Sequence, residues 1–224
     1  MRAIDVMVRD VVTVHPDTEV AEAVNLLAEH DVSALPVVDG EGKLLGILSE
    51  ADLMHRVEIR TEKRRPWWQE AVTGAGTLAE EFAKSHGKKV GEIMTSAVVS
   101  VSEDASLSDI AGLFERKRIK RVPVTKDGKL VGIVSRSNLI QALASVVGRM
   151  DEHDEADRQI RLDLLSRLGE QSWTDFGSRN VIVTDGKVHL WGLISSEAER
   201  KALIALAEGV PGVTEVIDET IPAY

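Results

Sequence analysis

The feature that most constrains the fold is an internal repeat, whose two copies end in similar motifs at residues 46–52 and 132–138. In each copy an apolar strand ends at a hydroxyl residue, Ser49 or Ser135, and a short polar residue, Asp52 or Asn138, follows three positions later. A unit that occurs twice usually buries its apolar faces against its own copy. The repeat therefore predicts one supersecondary unit used twice.

Each copy predicts the element order β-α-β-β-α. The first has β-branched residues at 11–14, apolar strands at 34–38 and 44–48, and a helix face formed by Val20, Ala23, Val24 and Leu27. The second has a strand at 98–101, a hairpin turn at Asp127-Gly128, and the corresponding helix face formed by Leu107, Ile110, Ala111 and Phe114.

The motif itself has two interpretations. Ser49 can cap a helix while Asp52 reaches back to the backbone N–H of Ser49, which is a capping box. Alternatively, the carboxylate can accept hydrogen bonds from a diol such as ribose. The occurrence of two copies favours ligand binding.

The repeated element order, the x-x-Pro-Val strand around Pro36 and Pro123, and the Gly-x-x-Ser-x-x-Asp ending resemble the cystathionine-β-synthase (CBS) domain. Two such domains in tandem resemble the CBS pair, or Bateman module. The resemblance implies a pseudo-twofold pair, with one CBS domain at residues 1–58, a linker or insert at 59–89 and a second CBS domain at 90–148. It also implies a homodimer.

The resemblance further implies clefts that bind AMP, ADP or ATP as regulatory ligands, with no cofactor required. Ribose would be held by Ser49 and Asp52 in one cleft and by Ser135 and Asn138 in the other. Asn138 departs from the family pattern, because an amide carries no charge and donates as well as accepts. Other implied ligand contacts are Thr13, Val14, Ala34, Leu35, Ser100, Val101, Arg121 and Val122.

Basic residues lie close to the second motif. Lys120, Arg121 and Arg136 are candidates for phosphate contacts, because ammonium and guanidinium groups both bind phosphate oxygens. For the neighbouring residues 116–118 we favour a solvated helix end, where positive charge suits the helix dipole, over phosphate contacts.

The insert contains Trp67 and Trp68 after a basic run. Aromatic and basic residues together can bind nucleic acid. The alternative, which we favour, is that the tryptophans pack the insert against the paired domains.

The C-terminal part predicts the order α-β-β-α-β. An acidic joint around residue 151 leads into a helix with Ile160, Leu164 and Leu168, and Asp185-Gly186 is a hairpin turn. With Gly212-Val213-x-x-Val216 this region, residues 154–222, resembles the BON domain (bacterial OsmY and nodulation). That resemblance implies contact with a phospholipid surface or a protein. Trp173 and Trp191 could be interfacial, although we expect at least one to pack internally.

Composition and absent motifs exclude several functions. The chain has 224 residues, 43% of them hydrophobic, no cysteine and a net charge of -10, so we expect no thiolate metal site and no nucleic-acid partner. The histidines lack the spacing of metal ligands, so we expect no metal site. The sequence contains neither a nucleophile elbow nor a phosphate-binding loop, so we do not expect an enzyme.

The predicted fold is therefore α+β, a CBS pair followed by a small BON domain. The predicted function is that of a non-catalytic, cytoplasmic regulator that binds adenosine nucleotides. The alternative is a structural or interaction protein whose BON domain docks on a membrane surface or a protein partner.

Overall fold

The computed structural model describes residues 1–54, 85–146, 155–174, 176 and 180–223. In chain order its elements are α1 (Ala3–Val6), α2 (Val20–Glu29), β1 (Ala34–Val38), β2 (Leu44–Ser49), α3 (Glu50–Leu53), α4 (Val90–Ile93), β3 (Val101–Ser102), α5 (Leu107–Lys117), β4 (Arg121–Lys126), β5 (Lys129–Ser135), α6 (Arg136–Val146), α7 (Glu155–Gly169), β6 (Asn180–Thr184), β7 (Lys187–Ile194), α8 (Glu197–Glu208) and β8 (Glu215–Pro222). The mixture of helices and strands confirms the predicted α+β class.

The chain forms two compact units that differ from its sequence repeats. The first-repeat unit comprises Val11–Val99 and Asp127–Leu130, and the second-repeat unit comprises Met1–Asp10, Ser100–Lys126 and Val131–Tyr224. The segment that opens the first repeat therefore belongs to the unit that contains the second repeat. The predictions for Trp67, Trp68 and the basic run beside them fall outside the described residues.

The first-repeat unit is built on the antiparallel hairpin of β1 and β2, in which Ala34 pairs with Ser49. Its core includes Leu35, Leu48 and Ile93, which are fully buried. The apolar face of α2 is narrower than predicted, because Val24 is 43% exposed.

The strands predicted at 11–14 and 98–101 are shorter than expected, and two prolines explain the difference. Val14 forms a single parallel bridge, to Val37, and β3 pairs in parallel with β4 over two residues. Extending either ladder toward its N-terminus would require the backbone N–H of Pro36 or Pro123. Proline has no such donor, so pairing stops there.

The second-repeat unit contains a sheet with the strand order β3-β4-β5. Met7, Ile110 and Phe114 lie in its core cluster. Met7 packs directly against β5, where a Cβ added at Gly132 would lie 2.7 Å from the Met7 sulfur. Helix α6 follows β5 at once, so the second motif lies at the junction of these two elements.

The C-terminal domain has the predicted α-β-β-α-β order. Strands β6 and β7 are antiparallel, β7 and β8 are parallel, and the sheet order is β6-β7-β8. Asp185 and Gly186 take φ values of 52° and 72° in the hairpin turn, as turns of this kind require. Leu164, Leu168 and Leu203 form part of the domain's own core.

The C-terminal domain packs on the second repeat within the second-repeat unit. Ile182 of β6 is buried in the same cluster as Val6, Met7 and Ala142, and Trp191 packs against that cluster. By contrast, Trp173 is 42% exposed. The expectation that at least one of the two tryptophans packs internally is confirmed.

Candidate functional site

The first motif lies where β2 ends and α3 begins. Ser49 is the residue before the helix, with extended backbone at φ −130° and ψ 165°. Its backbone N–H donates to Asp52 Oδ2 over 3.0 Å, and its hydroxyl donates to the same oxygen over 2.8 Å. The predicted capping box is therefore present.

A third residue orients the carboxylate of Asp52. The hydroxyl of Thr95 donates to Asp52 Oδ1 over 3.3 Å, and Thr95 is held there by a backbone bridge to Ile47 of β2. Sequence reasoning missed Thr95. The available signal was the comparison of the two repeats, because Val8, which is bridged to Ile133, occupies the equivalent place in the second copy.

The sequence predicts ligand contacts at four other residues of the first repeat. Val14, Ala34 and Leu35 have buried side chains, and Val14 uses its backbone N–H and carbonyl to pair with β1. Thr13 is partly exposed. Three of these side chains therefore belong to the core, whereas the side chains of Ser49, Asp52 and Thr95 are joined by hydrogen bonds at the end of the hairpin.

The second motif has the same cap but a different environment. The backbone N–H and the hydroxyl of Ser135 donate to Asn138 Oδ1 over 2.7 and 2.8 Å, as the same groups of Ser49 do to Asp52. The amide nitrogen of Asn138 donates to Gln141 Oε1 over 3.2 Å. Asn138 is only 5% exposed, whereas Asp52 is partly exposed.

The structure brings the predicted basic residues together beside the second motif. The backbone N–H of Arg136 donates to the carbonyl of Lys120 over 3.0 Å, so the start of α6 lies against the start of β4, which is Arg121. Lys120 and Arg136 are exposed and Arg121 is partly exposed. Such a cluster can attract an anion such as phosphate.

The remaining predicted contacts of the second repeat are less uniform. Val122 is fully buried in the core. Val101 is partly buried, and Ser100 is exposed, with its Oγ 3.5 Å from the Thr125 hydroxyl. Only Ser100 of these three presents a polar side chain to solvent.

The described parts of the chain lack two kinds of functional element. Among those residues, no group of three or more histidine or acidic side chains is placed to hold a metal ion. No helix within the same ranges is long and apolar enough to cross a bilayer.

Comparison with known proteins identifies related sequences and structures. The CBS domain model matches residues 3–59 and 90–145, and the BON domain model matches residues 156–221. The chloroplastic CBS domain-containing protein CBSX1 of Arabidopsis thaliana is 35% identical over 143 residues, which cover 61% of this chain and 61% of CBSX1. CBS domain-containing protein YhcV of Bacillus subtilis is 31% identical over 135 residues, which cover 60% of this chain and 80% of YhcV.

A solved structure adds a ligand to this comparison. The crystal structure of CBSX2 in complex with AMP matches with a TM-score of 0.57 and 31% sequence identity, covering 65% of this chain and 97% of the CBSX2 chain.

Proposed function

Because the chain belongs to the CBS-domain family and carries a C-terminal BON domain, we propose that it is a non-catalytic regulatory protein that binds an adenosine nucleotide. AMP, ADP and ATP are the candidate ligands, and no cofactor is needed. The observation that carries the proposal is the geometry of Asp52, whose carboxylate is oriented by Ser49 and Thr95 at the end of the hairpin.

The chemistry of this corner suits a ribose. A carboxylate accepts hydrogen bonds on both of its oxygens, which is the chemistry that binds the hydroxyl groups of a diol. Asp52 is partly exposed. The match to the AMP complex of CBSX2 supports an adenosine ligand.

A regulatory role requires that the ligand bind one arrangement of the protein better than another, since equal affinity for two states shifts neither. We propose that a nucleotide-dependent change in the cytoplasm is passed on through a homodimer or through the C-terminal domain. Ile140 and Leu143, which are 66% and 60% exposed on α6, support a further protein contact there.

A second candidate function is docking by the BON domain without nucleotide sensing. Leu193 and Ile221 are paired neighbours on β7 and β8, and they are 45% and 63% exposed. Adjacent exposed apolar side chains at the end of a sheet suit a protein partner or a phospholipid surface.

Calorimetric titration of the whole chain with AMP, ADP, ATP and S-adenosylmethionine tests the proposal. We expect Asp52→Asn to weaken binding about 10- to 100-fold, because hydrogen bonds to a charged acceptor are lost. Asparagine keeps the cap, as Asn138 does in the second repeat. Glu50→Gln is the matched control, since it removes the same charge from an exposed position of α3.

The two functions predict different results. Binding of one nucleotide that Asp52→Asn weakens and Glu50→Gln leaves within about twofold supports the sensor. If none of the four ligands binds the unaltered chain, the docking function is favoured. A liposome sedimentation assay, with phosphatidylcholine and phosphatidylglycerol vesicles, then separates a lipid surface from a protein partner.

A further inference from the structure

A chain of hydrogen bonds joins the second motif to the C-terminal domain. Gln141 Oε1 accepts from Asn138 Nδ2 over 3.2 Å and from Asn180 Nδ2 over 2.7 Å. Asn180 Oδ1 in turn lies 3.5 Å from Arg161 Nη2, which donates to it. The residue that departs from the family pattern is therefore connected through two amides to a guanidinium in the next domain.

Three of these four hydrogen-bonded residues are withdrawn from water, and the fourth, Gln141, is partly exposed. Asn138 is 5%, Asn180 3% and Arg161 4% exposed. Polar groups at such positions must be paired with one another, because an unpaired buried donor or acceptor is strongly unfavourable. The identity and the orientation of each amide therefore matter for the packing of the two domains.

The direction of the hydrogen bonds from Asn138 through Gln141 to Asn180 is fixed, because the groups at both ends of the series can only donate. At one end the backbone N–H of Ser135 requires an oxygen of residue 138 to face it. At the other end the guanidinium of Arg161 requires an oxygen of Asn180, since arginine has no acceptor. Each terminal amide must therefore turn its NH2 group toward Gln141, whose oxygen accepts both hydrogen bonds.

An aspartate at position 138 breaks this pattern. Its second oxygen would face the oxygen of Gln141. If the Gln141 amide reversed to donate, its NH2 group would face the NH2 group of Asn180. If Asn180 reversed as well, its NH2 group would face the guanidinium of Arg161. No orientation of the two amides satisfies every group.

In the described residues of the first repeat, the contact that corresponds to Asn138–Gln141 is a different one. Asp52 caps its helix as Asn138 does, but its other oxygen accepts from the hydroxyl of Thr95, and the place of Thr95 is taken by Val8 in the second copy. The two copies of one motif thus share a cap and differ in the next contact.

We propose that Asn138 is the specificity-determining residue for docking of the C-terminal domain on the second repeat, and that this motif serves docking while Asp52 alone serves ribose. The docking half stands on the contacts above, whereas the ribose half rests on the proposed function. The second motif is thereby a contact between domains that retains the form of a nucleotide motif.

Hydrogen exchange of the whole chain without nucleotide tests the docking half. Asn138→Asp keeps the cap and should lower the protection of the β6 amides about tenfold. The matched control is Asp52→Asn, the reverse exchange at the equivalent position, which should leave β6 protection within about twofold. Equal protection in both variants would overturn the proposal.

A compensating change separates docking specificity from general damage. In Asn138→Asp combined with Asn180→Asp, the NH2 group of Gln141 can donate to both carboxylates, and Arg161 still donates to residue 180. We expect each single variant to lose protection and the double variant to regain most of it, a non-additivity that a double-mutant cycle measures. Additive losses would refute the role of Asn138.

Titration with AMP, ADP, ATP and S-adenosylmethionine tests the ribose half separately. A stoichiometry of one nucleotide per chain, unchanged in an Asn138→Ala variant, is the expected result. Two equal sites, one of them lost in Asn138→Ala, would overturn this half and leave the docking result intact.

Discussion

Arg161→Met tests how strongly the C-terminal domain is held to the second repeat. The guanidinium of Arg161 donates to the backbone carbonyls of Val181, Ile4 and Met7 over 2.6, 3.0 and 2.7 Å. One side chain thus satisfies a carbonyl of its own domain and two carbonyls at the start of the chain. Methionine fills much of the space but donates no hydrogen bond.

The expected magnitude follows from two opposing contributions. Three hydrogen bonds from a charged donor stabilise by about 4.5 to 9 kcal/mol in all. Burial lowers the pKa of Arg161 to about 10, and a shift of that size corresponds to about 3 kcal/mol for burying the charge. The difference predicts that Arg161→Met reduces the free energy of unfolding of the second-repeat unit by about 1.5 to 6 kcal/mol.

Native-state hydrogen exchange in increasing urea measures the opening free energy of the β6 amides directly. Arg167→Met is the matched control on the same helix, because Arg167 is 39% exposed and pairs with Asp163 four residues away. Exposed pairs of this kind contribute about 1 kcal/mol or less. Arg161→Lys separates the charge from the fork of donors, and we expect it to resemble Arg161→Met. If Arg161→Met and Arg167→Met lower the opening free energy equally, the reasoning is refuted.

Two other predictions concern packing and pH. Gly132→Ala should destabilise the second-repeat unit by about 1 to 3 kcal/mol in urea unfolding, because the added Cβ would lie 2.9 Å from the carbonyl oxygen of Val8. The control is Gly40→Ala, whose added Cβ would have no atom within 4 Å. It should change stability by less than about 0.5 kcal/mol. Burial lowers the pKa of His189 below its usual 6.5, so the unfolded chain takes up a proton first as the pH falls. Stability should therefore decrease from about pH 6.5 downward. His189→Gln should make stability less dependent on pH in this range. If the pH dependence is unchanged in this variant, His189 is not its source.

Local patterns in the sequence predicted much of the fold. The Asp-Gly turns, the apolar alternation around them and the Ser-x-x-Asp corner depend on neighbouring residues only, and the hairpins and the cap at Ser49 formed where these patterns placed them. The overestimated strand at 11–14 shows the limit of such reasoning. Its pairing depends on Pro36, which is distant in sequence and cannot donate.

The contacts between distant segments could not be predicted in this way. Arg161 follows Ile160 in α7, an arginine in a helix is ordinarily solvated, and nothing local indicates that another domain covers it. The departure at Asn138 was visible in the sequence, but its partner Gln141 and the contact to Asn180 were not. Likewise Thr95 acquires its role only because β2 is bridged to it.

The placement of Met1–Asp10 in the second-repeat unit has a consequence for synthesis on the ribosome. Ile4 is synthesised before Arg161, and the contact between them has to wait for the 157 residues that separate them. At about 5 to 20 residues per second, that interval is roughly 8 to 30 s. During it Val6 and Met7, fully buried in the finished protein, have no completed core to enter, so the nascent chain exposes an apolar segment that a chaperone can bind.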